Sequence, residues 1–340
     1  VIGGSGSATV NPNTGLLTAI SVGTVTLTAS NVGDTNYYSG STSQLITIGQ
    51  TTPTLTITSA NTLNVNGTLT ATTTITATGG RGGAITFSVI GGSGSATVNA
   101  NTGLITGISI GTVTLTASSA GDTNYYSASA SQLITIGKTT PTLTITSANT
   151  LNVNGTLSAT IITSATLGRG GVITYSIVGG SGSATVNSGT GLITGISVGT
   201  VTLTVSSAGD TNYYSASTSQ LITISKTTPT LSITSANTLN VNGTLTATTT
   251  TSATLGRGGV ITYSITSGSG SATVNSSTGL ITGISIGTIT LTATSTGDTN
   301  YYGSSTSQLI TIGKTTPTLT ITSSNTLNVD GSLTASVSST

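Results

Sequence analysis

The hexapeptide Gly-Asp-Thr-Asn-Tyr-Tyr occurs at Gly33–Tyr38, Gly121–Tyr126, Gly209–Tyr214 and Gly297–Tyr302, and each copy stands 88 residues after the one before. Pro53, Pro141, Pro229 and Pro317 keep that spacing. So do the charges: Asp34, Asp122, Asp210 and Asp298; Arg81, Arg169 and Arg257; Lys138, Lys226 and Lys314. Only Asp330 falls outside, where Asn66, Asn154 and Asn242 stand in the other copies. Between residues 53–140 and 141–228, 72 of 88 positions are identical. A solenoid turn takes roughly 20–45 residues, so this period is too long for one and matches a small autonomous domain. The fold must close within one period and tolerate a near-identical neighbour. The chain therefore divides into a partial repeat 1–52, complete repeats 53–140, 141–228 and 229–316, and a partial repeat 317–340. Val1 corresponds to Val89 and Thr340 to Thr76, twelve residues short of four periods, which reads as a window on a longer array. The alternative is that terminal strands of another copy complete the N-terminal partial repeat, head to tail. The missing residues hold the Gly-rich turn and the Phe87 position, which argues against it.

Residues 53–140 include 22 Thr and 10 Ser. Thr is β-branched and favours extended backbone, while Gly and Asn supply turns. Apolar and polar residues alternate with period two. Thr54–Thr58 and Thr62–Val65 read as a split first strand, and Thr68–Thr78, with Leu69, Ala71 and Ala77 on one face, as the second. Gly79–Gly83 reads as a turn, and Ile85, Phe87 and Val89 mark the third strand. Ser95–Asn99, Leu104–Ile110 and Thr112–Ala117 follow, the last with Val113, Leu115 and Ala117 inward, and Gln132–Ile136 closes the unit after the hexapeptide loop. About seven short strands with turn signals every ~8–12 residues predict an all-β fold of tandem immunoglobulin-like β-sandwich domains, as beads on a string. Gly137–Pro141 and its equivalents read as short, semi-rigid linkers carrying Lys138, Pro141, Lys226, Pro229, Lys314 and Pro317.

Six basic and five acidic residues make up 3% of the chain, and Cys, His, Met, Trp and Glu are absent. This excludes zinc fingers, haem and iron–sulfur ligation, and Cys–His or Ser–His–Asp nucleophiles. No repeat holds an acid–base pair, so no enzyme, cofactor or metal is predicted. A net charge of +1 offers no electrostatic footprint for nucleic acid. No apolar run reaches the ~18–20 residues of a membrane span, so no direct membrane insertion is expected in this segment. Low hydrophobicity marks disorder when net charge is high; here charge is nearly absent and mean hydropathy is +0.31, which favours a folded chain.

The run Ala96–Ala117, with its Thr-Gly-Leu-Ile-Thr-Gly and Gly-Thr-Val-Thr-Leu-Thr-Ala segments, and the Gly-Asp-x-Asn-Tyr loop at Gly121–Tyr125 resemble bacterial immunoglobulin-like domains such as those of invasin and intimin stalks and long surface adhesins. The resemblance covers the whole chain. The neutral Thr/Ser/Asn-rich style is similar to giant repeat adhesins of Bacteroidota, including gliding-motility adhesins. The resemblance implies secretion, an extracellular cell-surface location and adhesion, with no catalytic residues to carry over. One functional expectation is a structural stalk or filament segment whose partners are neighbouring repeats and other copies of the same chain. The other is a multivalent module that binds carbohydrate or another surface through the hexapeptide loops. Nearly uncharged faces and unguarded strand edges predict lateral bundling.

The candidate site is the loop itself: Asp34, Tyr37 and Tyr38; Asp122, Tyr125 and Tyr126; Asp210, Tyr213 and Tyr214; Asp298, Tyr301 and Tyr302. In one reading the paired aromatics bind a ligand. In the other, one Tyr plugs the end of the sandwich, Asp bonds turn amides, and the second Tyr, such as Tyr126, faces a neighbouring filament or a glycan. Calcium needs 6–8 oxygens, and one Asp per repeat supplies too few. Lys138 reads as a surface Lys blunting a strand end rather than an isopeptide partner, and Arg81 as a solvated turn residue or ion-pair partner. An ester from Thr54 or Thr56 to Gln132 lacks acid and base helpers. Asn66, Asn154, Asn242 and Asn275 match glycosylation sequons, but Asn-Gly is also a turn signal. Thr-x-Thr runs such as Thr112–Thr116 resemble ice-binding arrays, yet they are equally the ordinary outer face of a twisted strand.

Overall fold

The computed structural model describes residues 1–77, 82–166, 170–254, 258–266 and 268–340. Arg81, Arg169 and Arg257, and most of the expected turn at Gly79–Gly83, lie outside the described residues. The chain forms two compact units. The first comprises Val1–Leu143, Thr163–Val172 and Ser207–Ala216; the second comprises Thr144–Ile162, Ile173–Ser206 and Ser217–Thr340. Two loops that belong by sequence to the repeat 141–228 thus pack with the first unit.

Alternation builds the strands. In Gly111–Ser119, Val113, Leu115 and Ala117 point inward and are fully buried, while Thr112, Thr114 and Thr116 face out. Thr keeps the backbone extended, and its hydroxyl finds a cross-strand partner, as Thr116 does in Ser131 at 3.0 Å. One sheet of the repeat 53–140 runs in the order Ile85–Gly91, Gly111–Ser119, Ala128–Gly137, Thr62–Asn64, the last pair parallel. The other runs Ser95–Val98, Leu104–Ser109, Thr68–Thr70, and Leu55–Ile57 pairs antiparallel with Thr73–Ile75.

The first strand is split as expected, one half in each sheet. The second, expected as one strand over Thr68–Thr78, is split as well. At Ala71 it changes partners: Ala71 N–H donates to Gly103 O at 2.9 Å, and Thr72 O then accepts from Thr58 N–H at 2.8 Å. Counting each split strand once gives seven. The second, fifth and fourth lie on one side, the third, sixth and seventh form the other sheet, and the first contributes one half to each, which is the strand partition of an immunoglobulin-like sandwich. The repeat 229–316, in the second unit, has the same sheet orders. No helix among the described residues is long and apolar enough to cross a membrane.

The core of the first unit gathers Leu63, Val65, Ala71, Ile105, Val113, Leu115, Ile134 and Ile136 from the repeat 53–140. Two more members, Ala165 and Tyr213, come from the repeat that follows. In the second unit Ala253 and Tyr301 join the core formed by Leu151, Val153, Ile193 and Leu203 in the same way.

Candidate functional site

The hexapeptide loop is shaped by its aspartate. In the first unit Asp210 Oδ1 accepts from the N–H groups of Asn212 (2.7 Å) and Tyr213 (2.9 Å), and Oδ2 accepts from Gly170 N–H (2.8 Å). Asp210 N–H donates to Tyr213 O at 3.0 Å and closes the turn. Gly209 enters it at φ 74°, a left-handed conformation that only glycine adopts at little cost. The expected role of Asp, bonding turn amides, is what the structure shows. Both carboxylate oxygens are engaged, and among the described residues no three His, Cys, Asp or Glu side chains gather as a metal site.

So held, the loop presents a plug to the preceding repeat. Tyr213 is 1% exposed. Its hydroxyl oxygen accepts from Asn66 Nδ2 at 2.8 Å and from Thr166 N–H at 3.2 Å, and lies 3.1 Å from the Thr166 hydroxyl. Asn212 Oδ1 accepts from Ile110 N–H at 3.0 Å. Lys138 Nζ donates to Asp210 O at 2.9 Å and sits 5.6 Å from the centre of the Tyr214 ring, a cation–π distance. Tyr214 N–H donates to Thr139 O at 2.9 Å, and a short parallel bridge joins Thr139 to Tyr213.

The second unit repeats this junction. Asn154 Nδ2 donates to the Tyr301 hydroxyl oxygen at 2.8 Å, Val198 N–H to Asn300 Oδ1 at 2.9 Å, and Lys226 Nζ to Asp298 O at 2.8 Å. Lys226 lies 5.7 Å from the Tyr302 ring centre. Burial works to raise the Tyr301 hydroxyl pKa. Donors from the Thr254 side chain, the Thr254 backbone and Asn154 outweigh it and hold the group below the ordinary tyrosine value.

The socket is built by the Asn-Gly turn. Asn66 and Asn154 each stand at φ 62°, in the left-handed region that Asn tolerates. Asn66 N–H donates to Gly107 O at 2.9 Å, which fixes the turn and leaves the side-chain amide for Tyr213. The expectation of a turn at these asparagines therefore holds. Their partnership with the next repeat, and the parts played by Thr166 and Ile110, were not anticipated. The 88-residue recurrence of Asn beside an invariant loop was the available signal.

The four loops differ in burial according to what precedes them. Tyr213 and Tyr301 are each 1% exposed, Tyr125 is half-buried, Tyr37 is 75% exposed and Tyr38 fully so. Tyr125 meets the partial repeat 1–52, which has no counterpart of Asn66. Val22 N–H still donates to Asn124 Oδ1 at 2.9 Å, and Gln50, in the lysine's place, donates to Asp122 O at 3.1 Å. Tyr37 has no repeat before it in this chain. Tyr126, Tyr214 and Tyr302 stay 55%, 56% and 57% exposed.

Among the linker residues, Pro141 and Pro229 are buried, and Pro317 and Lys314 exposed. Lys138 and Lys226 are half-buried junction donors, which corrects the reading of Lys138 as a surface lysine at a strand end. Gln132 donates to Ser59 O at 3.2 Å, whereas Thr56 faces out and Thr54 N–H is bonded to Thr76. The structure thus does not bring together the residues of an ester cross-link.

No protein-family model matches the chain, and no curated protein matches it. Among solved structures, three N-terminal domains of the outer capsid protein Hoc of bacteriophage RB49 align over 78% of this chain and 100% of theirs, at 13% identity and a TM-score of 0.22. Fibronectin(III)-like modules of Clostridium thermocellum CbhA align over 51% and 95%, at 16% identity and 0.22. Salmonella alpha-2-macroglobulin aligns over 91% of this chain and 26% of its own, at 10% identity and 0.24. TM-scores this low carry no functional argument.

Proposed function

We propose that the chain is a structural segment of a secreted cell-surface adhesin, a stalk or filament in which immunoglobulin-like repeats are locked in series. The observation that carries this reading is the tyrosine of one repeat buried in the core of the repeat before it, as Tyr213 and Tyr301 are. The loop is used to join neighbours. A short linker alone leaves a hinge, whereas a buried ring, a side-chain amide bond and a main-chain bridge together oppose bending and pulling apart. Single-molecule pulling tests it. The expected record is a series of equal steps, each releasing 88 residues, roughly 300 Å of contour at ~3.4 Å per residue. One continuous transition without equal steps refutes it.

A second reading, a multivalent carbohydrate-binding module, draws on the half-exposed rings of Tyr126, Tyr214 and Tyr302. If the rings stack on sugars, replacing all three by Ala abolishes retention on a glycan array. If they serve the junction alone, retention is unchanged.

A further inference from the structure

The turn that builds each socket is made of a chemically labile pair. At Asn66 and Asn154 the chain stands at φ 62°, which Asn tolerates and a β-branched or bulky residue does not. The next residue must be glycine, because a Cβ on Gly67 or Gly155 would come within 2.9 or 3.0 Å of the Asn64 or Asn152 carbonyl oxygen. Asn is a thermolabile residue. Followed by Gly it is most open to attack by the next main-chain nitrogen, since no side chain stands in the way. In the seated junction both reacting groups are held. Gly67 N–H donates to Asn64 O at 2.8 Å, and Gly155 N–H to Asn152 O at 2.9 Å. The amide that would be attacked is tied to the next repeat. Asn66 Nδ2 donates to the Tyr213 hydroxyl at 2.8 Å and to Ser164 O at 3.3 Å, and Asn66 Oδ1 accepts from the Thr166 hydroxyl at 3.4 Å. Tyr301 and the Thr254 hydroxyl hold Asn154 in the same way. Both asparagines border solvent, so water reaches them.

We propose that Asn66-Gly67 and Asn154-Gly155 are deamidation sites gated by the junction. Each converts when the tyrosine of the following repeat leaves its socket, and the product then weakens reclosure. The Gly67 nitrogen loses its proton and bonds to Asn66 Cγ. The Cγ–Nδ2 bond breaks, and Nδ2 takes up that proton and leaves as ammonia, giving a five-membered succinimide. One water opens the ring at either carbonyl and yields an aspartyl or an isoaspartyl residue. The aspartyl product fits the turn: Asp330, at the same position of its repeat, stands at φ 67° with Gly331 N–H bonded to Asn328 O at 3.0 Å. Its carboxylate has no donor for Ser164 O or for the Tyr213 hydroxyl oxygen. The isoaspartyl product adds a methylene to the main chain and shifts the Gly67 N–H away from Asn64 O.

Peptide-mapping mass spectrometry of the 340-residue chain, incubated in mildly alkaline buffer and sampled over time, tests this. Tyr213→Ala should raise the rate at Asn66 at least about tenfold, because the rate follows the population of the open junction. Asn154, still seated on Tyr301, should keep its wild-type rate in the same molecule, and Tyr301→Ala should reverse the pattern. Tyr213→Phe keeps the ring in the core and should raise the rate at Asn66 by a smaller factor, which carries the test if the alanine variant does not fold. Asn66 converting equally fast in all these chains, or Asn154 accelerating in step with Asn66 in Tyr213→Ala, overturns the proposal. Asn66→Asp supplies the aspartyl product directly. It should speed hydrogen exchange at Thr166 N–H and leave Thr254 N–H unchanged; no change at Thr166 would refute weakened reclosure. Equal steps on pulling beside an unresponsive deamidation rate would leave the stalk reading standing and sink the gating alone.

Discussion

The same tyrosine occurs in the same hexapeptide at four places, and the structure surrounds it differently at each. Tyr213 fills the end of the core made by Val65, Ile105 and Ile136, whereas Tyr37 is 75% exposed. Replacing a fully buried aromatic by Ala costs roughly 3–5 kcal/mol. Tyr213→Ala also strips the acceptor from Asn66 Nδ2 and Thr166 N–H, about 1 kcal/mol each where water reaches them only in part. A total near 6 kcal/mol corresponds to a fall in Tm of roughly 12–24 °C for a unit of this size. Tyr213→Phe keeps the ring and loses the hydroxyl, so it should cost about 1–2 kcal/mol. Tyr37→Ala should stay within about 0.5 kcal/mol, and Tyr125→Ala should fall between.

Thermal unfolding gives the ranking, and hydrogen exchange gives the location. In Tyr213→Ala the loss of amide protection should appear in the repeat 53–140, around Val65 and Gly107, and not only in 141–228 where the substitution lies. Equal effects at Tyr37 and Tyr213, or exchange changes confined to 141–228, would show that the tyrosine serves its own repeat, and the junction argument would fall.

Asp210→Asn turns one acceptor into a donor facing the N–H groups of Gly170, Asn212 and Tyr213, and should cost about 1–3 kcal/mol by denaturant unfolding. Tyr301 has a folded pKa below its unfolded value, so its contribution to stability is fully present above the unfolded pKa and is lost as pH falls through the folded pKa. Phenolate absorbance should therefore show an early-ionising component while the fold persists, and Tyr301→Phe should diminish it. Lys138→Ala should cost less than about 1 kcal/mol, because the ammonium is half-buried and water can replace it at the Asp210 carbonyl. Expressed in a host with N-glycosylation, Asn66 and Asn154 should be unmodified in peptide mapping, since their amide nitrogens are held 2.8 Å from a buried tyrosine hydroxyl.

Most of the sandwich was legible because its cause is local. Val113, Leu115 and Ala117 alternate with Thr in any copy of the repeat, and that pattern alone places them inward. The break at Ala71 was not legible, because it arises where the strand leaves Leu104–Thr106 for Leu55–Ile57, a choice made by partners distant in sequence. The loop was legible as a unit but its destination was not. Asp210 shaping its own turn is a matter of two or three residues. Tyr213 meeting Asn66 spans 147 positions, and in a repetitive sequence Asn66, Asn154 and Asn242 are equivalent candidates until geometry selects one.

The scarcity of charge acquires a cause from this. A β-sandwich with Thr on its outer faces needs no charged residue to be extended or to close its core. Among the described residues, the charges of the seated junctions do something a hydroxyl cannot. The carboxylate of Asp210 accepts three N–H bonds at once, which no Ser or Thr can do, and Lys138 reaches across a repeat boundary to a carbonyl and an aromatic face. Both act at the junction. The consequence is a chain whose stability is a sum of repeat terms and nearest-neighbour terms, in the manner of repeat proteins generally. The neighbour term is directional, because each repeat lends its tyrosine to the one before it. Destabilising one repeat should therefore loosen the core of its predecessor more than that of its successor, an asymmetry that hydrogen exchange on a core substitution such as Leu203→Ala resolves. Equal loosening on both sides would leave the linker, and not the tyrosine, as the coupling element.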